Sequence, residues 1–253
     1  MSPDRQPLID ADAPWGKVRD ALRGVQKSNR NAPAYSRWVN RPLGRIFAAT
    51  AYKLGLSPNA VTAISAVFTF TGIGLLASAK PSVIVGVTIA VLLVLGYALD
   101  SSDGQVARLR GGGSLAGEWL DHVVDSVKTG SMHLAVAVMW FRNLGGWPAE
   151  STLVPLVFTL QATVWFFAII ATDLLMRNAG AKKVTLAAEE GKPSTLNSLL
   201  GIPADYGFLC LMMALLGWFD VWRWLYGLLM TVNVAILMIQ CVRWFRRVSA
   251  VGR

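Results

Sequence analysis

The chain has 253 residues, 54% of them hydrophobic and only 15% charged, with a mean hydropathy of +0.46. Soluble domains carry about 25% charged residues, so the composition excludes a water-soluble enzyme and, more firmly, a disordered chain. The net charge of +9 does not mark a nucleic-acid binder, because Lys and Arg lie between apolar blocks instead of gathering on one polar module.

Residues 1–15 are polar and turn-rich, which predicts a disordered tail. Residues 16–57 form a juxtamembrane segment, in which Val18, Leu22 and Val25 fall at helical spacing among Lys17, Arg19, Arg23 and Lys27. That pattern predicts a helix within 16–30 lying on an anionic membrane surface; a solvated basic tail is the competing reading. No apolar h-region occurs in the first 59 residues, so no cleavable leader is expected.

A helix needs about 20 apolar residues to cross the hydrocarbon core. Residues 60–79, 81–99, 151–172 and 224–242 meet this without a charge, 193–219 carries only Asp205, and 115–141 is charged in its first half and apolar in its second. The expected fold is therefore all-α and polytopic: six transmembrane helices over 58–247, a cytoplasmic interfacial helix before them and a short tail at 248–253. Lys80, Arg142 and Arg223 fall on one face and Lys128 within a helix, while every other Lys and Arg falls on the opposite face. By the positive-inside rule both termini, and the charged ends of the second and third spans, are cytoplasmic in a multi-pass cell-membrane protein. Cys210 and Cys241 sit in apolar runs without ligand-like neighbours and read as small buried hydrophobes.

Ionisable groups at membrane depth are expensive and mark function. Asp100 and Asp103 are three residues apart, and Asp121 and Asp125 four apart, so each pair shares a helix face. The connection holds Gly111, Gly112 and Gly113, and so short a turn predicts antiparallel neighbours with the two pairs face to face. Four carboxylates this close repel one another. Divalent cations resolve the conflict, and an all-oxygen set suits Mg²⁺ or Mn²⁺, with room for the two ions used in phosphoryl displacement. Pairing with Arg108, Arg110 and Lys128 is the structural alternative. Gly104 and Gly117 lie beside the carboxylates and predict close approach of a ligand or backbone, and Arg108 offers a planar fork for phosphate.

The run Asp100-Ser-Ser-Asp103-Gly104-Gln-Val-Ala107-Arg108, eight residues, Gly117, three residues, Asp121, three residues, Asp125 resembles the complete signature of the CDP-alcohol phosphotransferases. Pro58-Asn59-Ala60-Val61-Thr62 is similar to the segment that opens the first helix in that family. The resemblance implies divalent-metal-dependent transfer of a phosphatidyl or phospho-alcohol group from a CDP-linked donor to an acceptor alcohol in phospholipid biosynthesis, with CMP released, by a homodimer. Asp100, Asp103 and Asp121 would hold metal, and Asp125 would join them or act as base. Gly104, Ala107, Arg108 and Gly117, with Asn59 and Thr62, would line the donor pocket.

Gly117-Glu118-Trp119-Leu120-Asp121-His122-Val123-Val124-Asp125 is similar to the form seen in choline and ethanolamine phosphotransferases, whose donor is a soluble CDP-alcohol and whose acceptor is a lipid. His122 is then a second base candidate, against plain packing on the helix flank. For the acceptor, Arg41 and Arg45 precede the first span and Asp205 lies in the fifth beside Pro203; ordinary positive-inside charge is the competing explanation for the arginines. Asp173, Arg177, Lys182 and Lys183 border the same entrance. His133 and the tryptophans read as core or interfacial anchors. A divalent-cation transporter is a remote alternative, since transport does not require these glycines and this arginine at fixed spacing.

Overall fold

The computed structural model describes residues 7–25, 32–180 and 195–251, and these are helical with no strand. Among the described residues nine α-helices run in order: α1 (Trp15–Gly24), α2 (Arg41–Lys53), α3 (Pro58–Ser78), α4 (Val83–Leu109), α5 (Leu115–Arg142), α6 (Leu153–Asn178), α7 (Thr195–Leu200), α8 (Tyr206–Met212) and α9 (Phe219–Val251). Four helical stretches are long and apolar enough to cross a membrane: Pro58–Ser78, Val83–Leu109, Ala149–Asn178 and Tyr206–Val251.

Three of the long helices start where serine caps them. Ser57, Ser82 and Ser114 each accept a backbone N–H from the first turn of α3, α4 and α5, satisfying donors that helix geometry leaves orphaned. Lipid gives no hydrophobic drive for helix association, so close packing has to hold the bundle. A Cβ at Gly96 of α4 would lie 2.2 Å from Thr69 Oγ1 of α3, and Ser65 Oγ donates to the Gly96 carbonyl at 2.8 Å. The absence of a side chain there lets the two backbones meet.

The sequence predicts α4 and α5 as direct neighbours. The close helix pairs are instead α3 with α4 and α3 with α5, and the facing sides of α4 and α5 meet through side chains that reach across a gap. Two apolar clusters lie on either side of that gap along the bundle. One joins Leu76, Leu93, Val136, Trp140, Phe158, Trp222 and Tyr226; the other joins Val18, Leu22, Ala48, Tyr52, Val61 and Leu109.

The continuous helix predicted over 193–219 is broken. α7 gives way to a 3₁₀ turn at Ile202–Ala204, and α8 then runs into a second 3₁₀ turn at Met213–Trp218. Pro203 has no N–H to continue a ladder, and Asp205 restarts the helix by accepting the Gly207 N–H at 3.1 Å.

The N-terminal region also differs from expectation. α1 ends at Gly24, and Val18 and Leu22 are fully buried against α2 and α4 instead of facing outward. Lys17, Arg19 and Arg23 remain exposed, while Lys27 and Arg30 lie outside the described residues. Within the stretch expected to be a disordered tail, Leu8 N–H donates to the Leu109 carbonyl at 2.9 Å, Tyr52 donates to the Ile9 carbonyl at 2.5 Å and Lys53 Nζ to the Ala13 carbonyl at 2.8 Å. Composition could not foresee these partners, which come from distant helices.

Candidate active site

α4 and α5 are joined by a turn that only glycine makes easily. Gly111 and Gly112 have φ of 85° and 128°, and the Gly112 N–H closes onto the Ala107 carbonyl at 2.9 Å. The turn sends α5 back so that one ligand atom each from Asp100, Asp121 and Asp125 lies within 4.8 Å of the others. A cation already fits there. Lys128 Nζ is 3.3 Å from Asp100 Oδ1 and makes an ion pair with Asp125, with only 8% of its side chain exposed. Three hard oxygen donors around a seat that accepts a positive charge suit Mg²⁺ or Mn²⁺.

Asp103, the fourth aspartate, is turned away from this trio. Its Oδ2 accepts from Thr62 Oγ1 at 2.5 Å, and its Oδ1 accepts the N–H of Gly104. Asn59 stands one turn earlier on α3, where its Oδ1 would lie 3.2 Å from a Cβ on Gly117. The first turn of α3 thus touches both the aspartate turn of α4 and the start of α5. Arg108 folds over Gly104, whose added Cβ would lie 3.4 Å from Arg108 Nη1, and Ala107 is buried below the glycine turn.

α2 crosses α4 at the same level. A Cβ on Gly44 would lie 2.2 Å from Ser101 Oγ and 3.1 Å from the Ala98 carbonyl, so Arg41 and Arg45, a few residues to either side, are carried to the aspartate turn. Burial lowers the pKa of Arg45, and Arg23 and Arg19 lower it further; burial also lowers Arg41. Crowded, partly desolvated guanidinium groups make this rim favourable for an anion.

His122 points away from the trio, with Nε2 3.9 Å from Glu118 Oε1. Glu118 is held from α6 by Arg177 Nη1 at 2.9 Å, and Arg177 Nη2 holds Asp173 at 3.0 Å. Lys182 and Lys183 lie outside the described residues. Asp205 accepts from Ser36 N and Oγ at 3.0 and 3.2 Å besides capping α8. Its oxygens therefore serve the fold at the junction of the N-terminal region and the broken helix. His133 is a core residue, stacked on Phe158 with centroids 4.0 Å apart and bonded to Tyr226 at 2.6 Å.

Sequence reasoning gave no role to Tyr206, whose ring centroid lies 5.5 Å from Lys128 Nζ. Its signal was present in the Pro203-Ala204-Asp205-Tyr206 run, but only the break in the helix brings the ring beside the carboxylates.

The family model for CDP-alcohol phosphatidyltransferases matches residues 55–242. The chain belongs to that family, an enzyme family of metal-dependent transfer from CDP-linked donors in phospholipid synthesis. Among solved structures it is similar to the phosphatidylinositol phosphate synthase PgsA1 of Mycobacterium tuberculosis in complex with manganese and citrate, at 20% identity over 76% of this chain and 86% of that chain, with a TM-score of 0.45. A comparison with curated proteins finds no match.

Proposed function

We propose that this protein is a six-span membrane transferase that moves a phosphatidyl group from CDP-diacylglycerol to an acceptor alcohol and releases CMP. The observation that carries the reading is the convergence of Asp100, Asp121 and Asp125 within 4.8 Å, with Arg108, suited to phosphate, two turns beyond Asp100 on α4. When bound, divalent metal supplies charge stabilisation for the attacking and leaving oxygens.

The chain's own residues take the other roles. Asp103, fixed by Thr62, completes the acidic face. Gly104 leaves space for the nucleotide, Gly117 lets Asn59 come close to the start of α5 at the edge of that space, and Arg108 and Ala107 line the diphosphate side. Asp125 accepts the proton of the acceptor hydroxyl, since it lies one turn from Asp121 on the same face of α5. Arg41 and Arg45 draw the anionic part of a substrate to the rim. In this reading α7 and α8 with their 3₁₀ turns form the fifth span and α9 the sixth. α1 lies at the cytoplasmic interface with Lys17, Arg19 and Arg23 toward anionic lipid, both termini and the site are cytoplasmic, and the enzyme works as a homodimer.

One observation favours a second reading. Glu118, the residue that with His122 resembles the choline and ethanolamine enzymes, is held by Arg177 beside His122, which suits a soluble CDP-alcohol donor and a lipid acceptor.

The test is CMP release by the purified protein in detergent, with CDP-diacylglycerol or soluble CDP-alcohols screened against alcohol acceptors, with and without chelator. Product mass identifies which side of the reaction carries the lipid. No CMP from any donor sinks both readings.

A further inference from the structure

Lys128 brings a cation into the acidic site that the aspartate motif does not include. Its ammonium lies 3.3 Å from Asp100 Oδ1 of α4 and pairs with Asp125, three residues earlier on α5. The Tyr206 ring of α8 faces the ammonium at 5.5 Å, and one turn further along α5 Met132 is buried in an apolar cluster. An ammonium that left the carboxylates for rings and methylenes would be buried without a partner, which is costly. Lys128 is therefore a fixed part of the site.

The size of the site points to a single metal ion. Opposite oxygen ligands of one Mg²⁺ are about 4 Å apart, and the ligand oxygens of Asp100, Asp121 and Asp125 lie within 4.8 Å of one another. Two ions at a phosphoryl-transfer centre sit about 3.5–4 Å apart, and each needs oxygens of its own besides the shared ones. Asp103 does not extend the trio, since one of its oxygens accepts from Thr62 Oγ1 and the other from the Gly104 N–H.

Charge leads to the same count. Three carboxylates are neutralised by one ammonium and one divalent ion. A second divalent ion beside the ammonium leaves a buried surplus of positive charge. The diphosphate of a CDP donor does not need that surplus, because Arg108 on α4 and Arg41 and Arg45 on α2 already stand for it.

We propose that the site works with one divalent ion and that the Lys128 ammonium stands where a two-metal site places its second cation. The ion is held by the oxygens of the trio that Lys128 does not occupy. Lys128 is a positioning residue, bridging α4 and α5 through Asp100 and Asp125. The inference rests on the transferase reading above and sets the metal count for it.

The experiment counts metal and does not require turnover. The purified full-length protein in detergent is stripped with chelator and titrated with Mn²⁺, and bound and free ion are read by electron paramagnetic resonance. Wild type is expected to bind one Mn²⁺ per chain at the site, with the resolved hyperfine signal of an isolated ion. Lys128→Met removes the ammonium and is expected to bind two, whose short separation couples their spins and broadens that signal. Lys128→Gln makes the same test where the methionine variant does not fold. Two spin-coupled ions in each wild-type chain overturn the inference. One ion per chain in the neutral variant also overturns it, because the lysine then does not set the count.

CMP release by the same preparations tests the transferase reading separately. Spin-coupled wild-type ions with CMP still released overturn this inference alone. Absence of CMP from every donor removes the transferase reading, while the manganese count still decides the place of Lys128.

Discussion

Thr62 Oγ1 donates to Asp103 Oδ2 at 2.5 Å, tying the first turn of α3 to the aspartate turn of α4. A hydrogen bond to a charged group contributes about 1.5–3 kcal/mol, and here it also sets which way the carboxylate points. Thr62→Val keeps the shape and removes the donor. It is expected to lower kcat/KM for the CDP donor by about tenfold or more, whereas Thr62→Ser retains most of it. Equal activity of the two variants would remove this bond from the working site.

Metal dependence follows from the donor set. EDTA should abolish CMP release, and Mg²⁺ or Mn²⁺ should restore it. Asp100→Asn and Asp121→Asn should each lose nearly all turnover while eluting as the folded protein from size exclusion in detergent. Full activity in chelator would contradict the assignment.

Lys128 pairs with both Asp100 and Asp125 and so bridges α4 and α5. Removing one partner of a buried ion pair costs about 3–5 kcal/mol. Lys128→Met should therefore lower the melting temperature of chelated protein. Metal binds only the folded state, so it should recover more of the loss than it adds to the wild type. Thermal melts with and without Mg²⁺ measure both terms.

The two glycine classes should respond differently. A Cβ at Gly104 meets nothing closer than Arg108 Nη1 at 3.4 Å, and one at Gly113 meets only Ala107 at 4.0 Å. Both positions thus accept a methyl group without distorting the fold. Gly104→Leu should nevertheless block CDP binding by occupying the donor space, while Gly113→Ala binds normally by titration calorimetry. Arg108→Lys keeps the charge and loses the fork, so its CDP affinity should fall.

The base assignment turns on orientation. Asp125 belongs to the acidic trio, whereas His122 lies against Glu118. Asp125→Asn is expected to abolish transfer with metal quantified as bound, and His122→Ala to retain measurable turnover. The reverse pattern would move the base to the histidine and favour the soluble-donor reading.

The parts of the fold that were legible were those with one dominant physical signal. α3, α4 and α6 announce themselves as uncharged runs of spanning length. The aspartate spacing pointed to four clustered carboxylates; Asp121 and Asp125, four apart on one helix face, do meet Asp100, whereas Asp103 does not join them. Other features depend on partners far away in sequence. The turning of Asp103 toward Thr62, the wedge of Gly44 against Ser101 and the capture of Glu118 by Arg177 have no local pattern. The break near Pro203 was not foreseen although the proline stood in the run, because Asp205 as the cap of a new helix required knowing that the ladder had already ended.

The bond from Leu8 to the carbonyl of Leu109 imposes an order of assembly. Residues 8–13 leave the ribosome long before the helix end they cover, and they cannot settle until α4 has been inserted and the glycine turn has formed. The end of α4, next to Arg108, is thus bonded to the earliest-made described stretch of the chain. For expression work, an affinity tag belongs at the carboxyl end, because a bulky amino-terminal fusion would bear on residues that bond to α2 and α4.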